Sequence, residues 1–263
     1  MALASFINNC HKILINNQDT NTQKAMHYIA DTRRVSKKSI ILHQIGYCPF
    51  DAKLPKEIQF YGKDLSNIKP NDKGFEYFLH GRVIVPIFSE FGEPVGVATR
   101  KPSSEPGNAW WNLARPFRKG DHLFLLDKTR KKIFKKNKIY VVEGYMDGVS
   151  LLQEGLNLVC ALMGTALTHR KVGLMARYCN NICLCLDIDK NHSGQKAQEK
   201  AIYTLSEFGF CDSISVIDHL DIGQDPDEYV AIHGLTDFLD GERILKESEI
   251  TKICKNIRQQ NKK

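Results

Sequence analysis

Acidic side chains occur at three points of the chain where an extended apolar run ends. They are Glu143, Asp187, Asp189, Asp225 and Asp227. Two carboxylates about 4 Å apart repel each other by roughly 4 kcal/mol at an effective dielectric constant near 20, and a bound cation offsets that cost. Oxygen-only ligands favour Mg²⁺ or Mn²⁺, which also bind substrate phosphates. A single Asp-x-Asp pair is commonly just solvated, so it is the combination that predicts a metal site.

The elements that must position these carboxylates are strands and helices that alternate from Lys138 onward. Apolar runs at 139–142, 158–162, 182–186 and 213–217 are separated by segments with helical patterns. This alternation predicts an α/β fold with a parallel sheet about four strands wide. Functional groups of such sheets cluster beyond the carboxyl ends of the strands. We therefore expect the carboxylates at one edge of the sheet.

The preceding part of the chain has mixed helical and extended patterns. Apolar residues between Leu3 and Leu14 recur at helical spacing and predict an amphipathic helix packed on the core. Short helices are expected at 26–32 and 37–42, the second capped by Ser36. Strand composition on both sides of Phe91-Gly92 predicts a hairpin. The basic run 128–138 is expected to be an exposed linker.

Composition limits the class of protein. The 263 residues carry a formal charge of +7, which favours a nucleic-acid partner, and 42% are hydrophobic, enough for a sizeable core. No apolar run is long enough to span a membrane, and the N-terminus lacks the pattern of a secretory signal, so a cytoplasmic protein is expected. The eight cysteines include no Cys-x-x-Cys pair, which argues against structural zinc; Cys183 and Cys185 are expected in a buried strand.

The acidic residues lie within three short motifs: Val141-Val-Glu-Gly-Tyr-Met-Asp147, Leu186-Asp-Ile-Asp-Lys190 and Gly223-Gln-Asp-Pro-Asp227. In that order, they resemble the three signatures of the Toprim domain of DnaG-type DNA primases. Upstream, Gly81-Arg-Val-Ile-Val-Pro-Ile87 and Phe117-Arg-Lys-Gly120 resemble segments of the primase core. The resemblance runs from about residue 24 to about 235. It implies a mixed α/β subdomain at 1–136, a Rossmann-like Toprim domain at 137–222, and an Asp-Pro-Asp loop with a short helical tail at 223–263.

The resemblance implies an enzyme that synthesises short RNA primers on single-stranded DNA from ribonucleoside triphosphates, using Mg²⁺ or Mn²⁺. Glu143, Asp187 and Asp189 are then the catalytic residues, and Asp147, Asp225 and Asp227 complete the metal-ligand set. Glu143 is either a ligand or a general acid or base. Six basic residues are expected to hold nucleic-acid or nucleotide phosphates. They are Arg82, Arg100, Lys101, Arg115, Arg118 and Lys119.

The chain also departs from the family pattern. A zinc-binding module cannot be built from Cys10 and Cys48, and Ala109 stands near the position expected for a lysine. We therefore expect either a catalytic core that relies on a separate zinc-binding protein or on a replicative helicase, at the site of DNA replication, or a reduced viral or plasmid enzyme. Two alternatives stay open at this point: a Toprim-type nuclease and a non-catalytic nucleic-acid-binding accessory protein of the replisome.

Overall fold

The computed structural model describes residues 2–54, 79–103, 110–112, 117–164, 167–187, 193–218, 220 and 223–260. The chain forms two compact units, Met1–Lys119 and Gly120–Lys263. The domain limits expected from the sequence, 1–136, 137–222 and 223–263, stay predictions.

The first unit combines helices with an antiparallel sheet. Its helices are α1 (Ala2–Asn16), α2 (Thr20–His27), a π-helical turn (Tyr28–Thr32) and α3 (Lys37–Leu42). Its strands are β1 (Gly46–Cys48), β2 (Arg82–Phe88), β3 (Pro94–Arg100) and β4 (Trp111–Asn112), in the order β1-β2-β3-β4. The Ser36 hydroxyl accepts a hydrogen bond from Ser39 N, as a helix cap should. The predicted hairpin is β2 with β3.

Helix α1 packs its apolar face on this sheet, as its spacing predicts. Phe6, Ile7 and Cys10 are buried in one cluster with Cys48 and Ile84. The helix backbone approaches β1 closely, because a Cβ atom at Gly46 would lie 2.6 Å from the carbonyl carbon of Cys10. Only glycine leaves room for this approach.

The second unit is a sheet with helices between its strands. Its strands are β5 (Lys138–Val142), β6 (Val159–Ala161), β7 (Asn181–Cys185), β8 (Ile214–Ile217) and β9 (Glu242–Ile244). Its helices are α4 (Leu126–Lys136), α5 (Tyr145–Gln153), α6 (His169–Met175), α7 (Ser193–Glu207), α8 (Pro226–His233), α9 (Leu235–Asp240) and α10 (Glu247–Gln260). The strand order is β6-β5-β7-β8-β9.

The first four strands of this sheet are parallel, as predicted. Strand β9 was not predicted; it runs antiparallel to β8 at the edge. Its three residues carry no strand-like run, and a side-chain network holds them in place. Glu242 accepts hydrogen bonds from Lys138 and Tyr140 on β5 and from Ser215 on β8.

Apolar side chains of the parallel strands fill the core of the second unit. Ile139, Ile182 and Leu184 are fully buried in one cluster with residues of α6 and α7. Cys183 and Cys185 are buried free thiols on β7, which confirms the interpretation from the sequence. Their Sγ atoms lie 3.8 Å apart, because residues i and i+2 of a strand share a face.

The expectation of an exposed linker at 128–138 was wrong. Residues up to Lys136 belong to α4, and β5 starts at Lys138. Leu126, Thr129 and Ile133 recur at helical spacing and are buried, which anchors the helix. Asn137 ends it in the left-handed conformation, with φ of 52°. The helical spacing of these three residues was overlooked in the sequence because most of their neighbours are lysines.

Among the described residues, no helix combines the length and the apolar character that crossing a membrane requires. Helix α1, the longest helix within the described part of the first unit, has 15 residues.

Replacing Gly46 by alanine should lower the free energy of unfolding by about 1–3 kcal/mol, because the new methyl group overlaps the backbone of α1. Urea denaturation followed by circular dichroism measures this. Gly173→Ala on α6 is the matched control, since its Cβ would meet nothing closer than 3.9 Å. Equal stabilities for the two variants would contradict the close packing of α1 on β1.

Candidate metal centre

The strand order brings the first two acidic motifs together. Strands β5 and β7 are parallel neighbours, with Val142 paired to Cys185. Glu143 directly follows β5, and Asp187 follows β7 after one intervening residue. The carboxyl ends of both strands therefore direct these residues to the same edge of the sheet. Asp189, the other member of the second motif, lies outside the described residues.

Asp147 is held at the beginning of α5. Its Oδ2 atom accepts a hydrogen bond of 2.8 Å from the backbone N–H of Gly144, the N-cap residue. The side chain is buried, with a relative exposure of 5% for the residue. A Cβ atom at Gly144 would lie 2.6 Å from Asp147 Oδ2. Glycine is therefore required for this carboxylate to take its position.

The third acidic motif forms the start of α8. Asp225 is the N-cap and accepts a hydrogen bond of 3.2 Å from Glu228 N, while Pro226 occupies the first turn. Asp227 lies in the same turn, where the helix dipole stabilises negative charge. Carboxylate oxygens of Asp147, Asp225 and Asp227 all lie within 4.8 Å of one another. These three residues thus form an acidic triad from two helices.

Asp147 of the triad also interacts electrostatically with the acidic residues at the ends of β5 and β7. Burial raises the pKa of Asp147 well above its usual range, and the charges of Asp187, Asp225 and Glu143 raise it further. The hydrogen bond from Gly144 N opposes this rise in pKa only in part. Five carboxylates therefore share one acidic edge: Glu143, Asp147, Asp187, Asp225 and Asp227.

The donor set of the acidic edge fits a hard divalent cation. Carboxylate oxygens from several elements suit Mg²⁺ or Mn²⁺, which accept oxygen ligands and retain water in the remaining positions. A cation also removes the repulsion that raises the pKa of Asp147. The predicted metal ligands among the described residues are thus brought together, and the identity of the metal stays a prediction.

Two residues that support this edge, Gly144 and Lys171, were not predicted from the sequence. Lys171 on α6 is buried, and its ammonium donates to the carbonyl oxygen of Leu162 at 2.5 Å. That segment is tied to the edge, since Leu162 N donates to Val142 O and Gly164 N to Glu143 O. A lysine three residues after a helix cap gives no sequence signal of this role, whereas Gly144 belongs to the recognised motif.

Two of the predicted phosphate-binding arginines are engaged within the first unit. Arg82 is 1% exposed, donates to Thr99 Oγ1 at 2.9 Å and lies 4.0 Å from the Trp111 ring centroid. Arg100 is partly buried, and its guanidinium lies over the Trp110 ring. Burial lowers the pKa of Arg100, and the charge of Arg33 lowers it further. Both side chains therefore contribute to the packing of β2, β3 and β4.

The other basic candidates differ in their surroundings. Lys101, Arg118 and Lys119 are exposed in the first unit, whereas Arg115 lies outside the described residues. Exposure permits a contact with phosphate but does not demonstrate it. The nucleic-acid role of all six basic residues stays a prediction.

Comparison with known proteins adds family information to this geometry. A family model described as Toprim-like matches residues 140–230. The DNA primase of Synechococcus elongatus is 29% identical over 231 residues, which cover 81% of this chain and 33% of that protein. The DNA primase of Clostridium acetobutylicum is 32% identical over 233 residues, covering 85% and 37%. The chain thus spans about a third of the length of these curated relatives.

Solved structures of primases match the fold of this chain. The Aquifex aeolicus primase, comprising zinc-binding and RNA polymerase domains, matches with a TM-score of 0.74 and 25% identity, covering 98% of this chain and 64% of that chain. A DnaG primase catalytic domain bound to single-stranded DNA matches with a TM-score of 0.72 and 25% identity, covering 91% and 80%.

The parallel sheet with its acidic edge, together with the family match, defines residues 140–230 as a Toprim-like domain. The chain is homologous to DNA primases, and its structure matches the catalytic core of the DnaG type. The resemblance and the fold class predicted from the sequence are both confirmed.

Gly144→Ala should weaken Mg²⁺ or Mn²⁺ binding by about 10- to 100-fold, the usual effect of disturbing a group that orients a metal ligand. The added methyl group displaces Asp147 Oδ2. Isothermal titration calorimetry measures the affinity, with Gly173→Ala as the control for the same change at an uncrowded position. An unchanged affinity in Gly144→Ala would show that Asp147 is not a ligand in this position.

The metal-free protein should lose stability as pH rises through the raised pKa of Asp147. A carboxyl group with a higher pKa in the folded state binds its proton more tightly there. Its contribution is therefore complete below the ordinary carboxyl pKa and is lost as pH passes the folded-state value. The free energy of unfolding of the metal-free protein, measured in EDTA across this pH range, tests whether stability falls as pH rises. Asp147→Asn should make this free energy depend less on pH. A free energy of unfolding that rises with pH in the wild type, but not in Asp147→Asn, would contradict the raised pKa of Asp147.

Proposed function

We propose that this chain is the catalytic core of a DNA primase, which synthesises short RNA primers on a single-stranded DNA template from ribonucleoside triphosphates. The observation that carries the proposal is the acidic edge, built by five carboxylates on a Toprim-like domain. Homology to DNA primases over most of the chain supports the same reaction.

The acidic edge suits nucleotidyl transfer because a triphosphate cannot approach several carboxylates without cations between them. Bound Mg²⁺ or Mn²⁺ would supply charge stabilisation for the attacking and leaving oxygens. Glu143, Asp187 and Asp189 are the proposed catalytic residues, with Asp147, Asp225 and Asp227 as further ligands. The protein's own contribution is to fix these oxygens, as the Gly144 N–H does for Asp147. We propose that Glu143 is a metal ligand. Its backbone carbonyl oxygen accepts a hydrogen bond from Gly164 N.

The proposed partners follow from the same reaction. A matching DnaG catalytic domain was solved with single-stranded DNA, which supports a template strand as ligand here. A replicative helicase and a separate zinc-binding protein are proposed as further partners; the matching Aquifex aeolicus primase structure includes a zinc-binding domain beside its RNA polymerase domain. Homology to DNA primases favours RNA synthesis over the two alternatives, a nuclease and a non-catalytic accessory protein.

Asp187→Ala should reduce template-dependent RNA synthesis by at least about 100-fold, equivalent to about 2.7 kcal/mol in the activation barrier. The loss reflects weaker stabilisation of the transferring phosphoryl group by metal. Incorporation of labelled ribonucleotides on single-stranded DNA, with Mg²⁺ or Mn²⁺ and with or without a helicase, provides the measurement.

Asp212→Ala is the matched control for this experiment, because Asp212 is exposed and forms no hydrogen bond or ion pair with any other described residue. Metal-dependent cleavage of the template instead of synthesis would replace the proposal by a nuclease. Binding of DNA without synthesis under every condition, unchanged in Asp187→Ala, would favour the non-catalytic protein.

A further inference from the structure

Helix α4 concentrates positive charge on the second unit. Its 11 residues include six cations and one acid, Asp127, and thus carry a formal charge of +5, compared with +7 for the whole chain. The buried stripe formed by Leu126, Thr129 and Ile133 fixes which face contacts the core. The remaining face is directed outward, and it presents five exposed lysines and one exposed aromatic ring: Lys128, Lys131, Lys132, Lys135, Lys136 and Phe134.

The lysines of this face are only sparsely neutralised. Lys128 forms an ion pair with Asp127, and Lys132 donates to Asn157 Oδ1. Lys131, Lys135 and Lys136 form no ion pair or hydrogen bond with any residue that the structure describes. Pairs four residues apart, such as Lys131 with Lys135, repel each other and destabilise a helix. This arrangement is unfavourable for the helix alone and is relieved by an external polyanion.

Phe134 adds an aromatic contact to the charged face. Its side chain is 69% exposed, and it lies about one helical turn after Lys131. Aromatic side chains interleaved with lysines provide stacking for unpaired bases while the cations bind the backbone. The helix is about 16 Å long at 1.5 Å per residue, so it can contact several successive phosphates. Membrane insertion suits this helix less, because its main apolar stripe is already buried in the core.

We infer that the exposed face of α4 binds the phosphate backbone of single-stranded nucleic acid, with Phe134 stacking on a base. This surface shares no residue with the acidic edge or with the six basic residues selected from the sequence. The inference deepens the proposed function and rests on it for the identity of the bound strand. The surface would hold template or primer while the acidic edge acts on the growing end.

The test is the salt dependence of binding by the full chain to fluorescein-labelled oligodeoxythymidylate, measured by anisotropy. Replacing Lys131, Lys135 and Lys136 together by glutamine should weaken binding about 10- to 100-fold near 0.1 M salt. The slope of log K against log salt should become shallower by about 2, because each lost contact with a single strand contributes about 0.7. Glutamine retains helix propensity, so folding is preserved, which circular dichroism checks.

The matched control replaces Lys200, Lys252 and Lys255, three exposed lysines elsewhere on the second unit, and removes the same net charge. Phe134→Ala should weaken binding severalfold without changing the salt slope. Equal affinity and slope in the two triple variants would overturn the inference. So would preferential loss of binding to phosphatidylserine vesicles in the α4 variant, with oligonucleotide binding intact.

RNA synthesis assayed in parallel separates this inference from the proposed function. If the wild type makes no RNA, and DNA binding is lost only in the α4 triple variant, the proposed function fails and the binding surface stands. If wild type makes RNA and the α4 variant binds DNA like its control, the surface fails and the proposed function stands.

Discussion

Repulsion among carboxylates is the constraint on which the second unit depends. Parallel strands β5 and β7 end side by side, so Glu143 and Asp187 meet at one edge, and helices α5 and α8 add Asp147, Asp225 and Asp227. Such an arrangement is costly in the absence of a cation, as the raised pKa of Asp147 indicates. The surrounding structure keeps the carboxylates in place despite this cost, through the Gly144 N–H and the first turn of α8. A site built this way is prepared for a divalent metal.

Local patterns in the sequence predict the parts of this arrangement that depend on strand ends and caps. Glu143 and Asp187 could be placed because each follows an apolar β run, and Ser36 was a recognisable cap that accepts from Ser39 N. Strand β9 was not predictable from its three residues, since its position depends on Glu242 reaching Tyr140 across the sheet, 102 residues earlier in the chain. Long-range contacts of this kind have no local signature.

The surroundings of the basic residues could not be predicted from the sequence either. Arg82 is predicted from the sequence to bind phosphate, and the sequence gives no sign that its guanidinium lies buried against Thr99 and the Trp111 ring, residues on two other strands. The lysines around residue 131 looked like a solvated linker, but three buried positions make them one face of a helix. Whether a basic residue faces the core or the solvent depends on packing, which charge and spacing alone do not determine.

We infer that the acidic edge binds a divalent metal through these particular carboxylates. A crystal structure of the full chain grown with Mn²⁺ is the decisive measurement, because the anomalous signal locates the ion independently of the protein density. We expect Mn²⁺ to be bound between the carboxylates of the triad, Asp147, Asp225 and Asp227, and those of Glu143 and Asp187. Well-ordered carboxylates with no Mn²⁺ among them, at metal concentrations that support RNA synthesis, would contradict it.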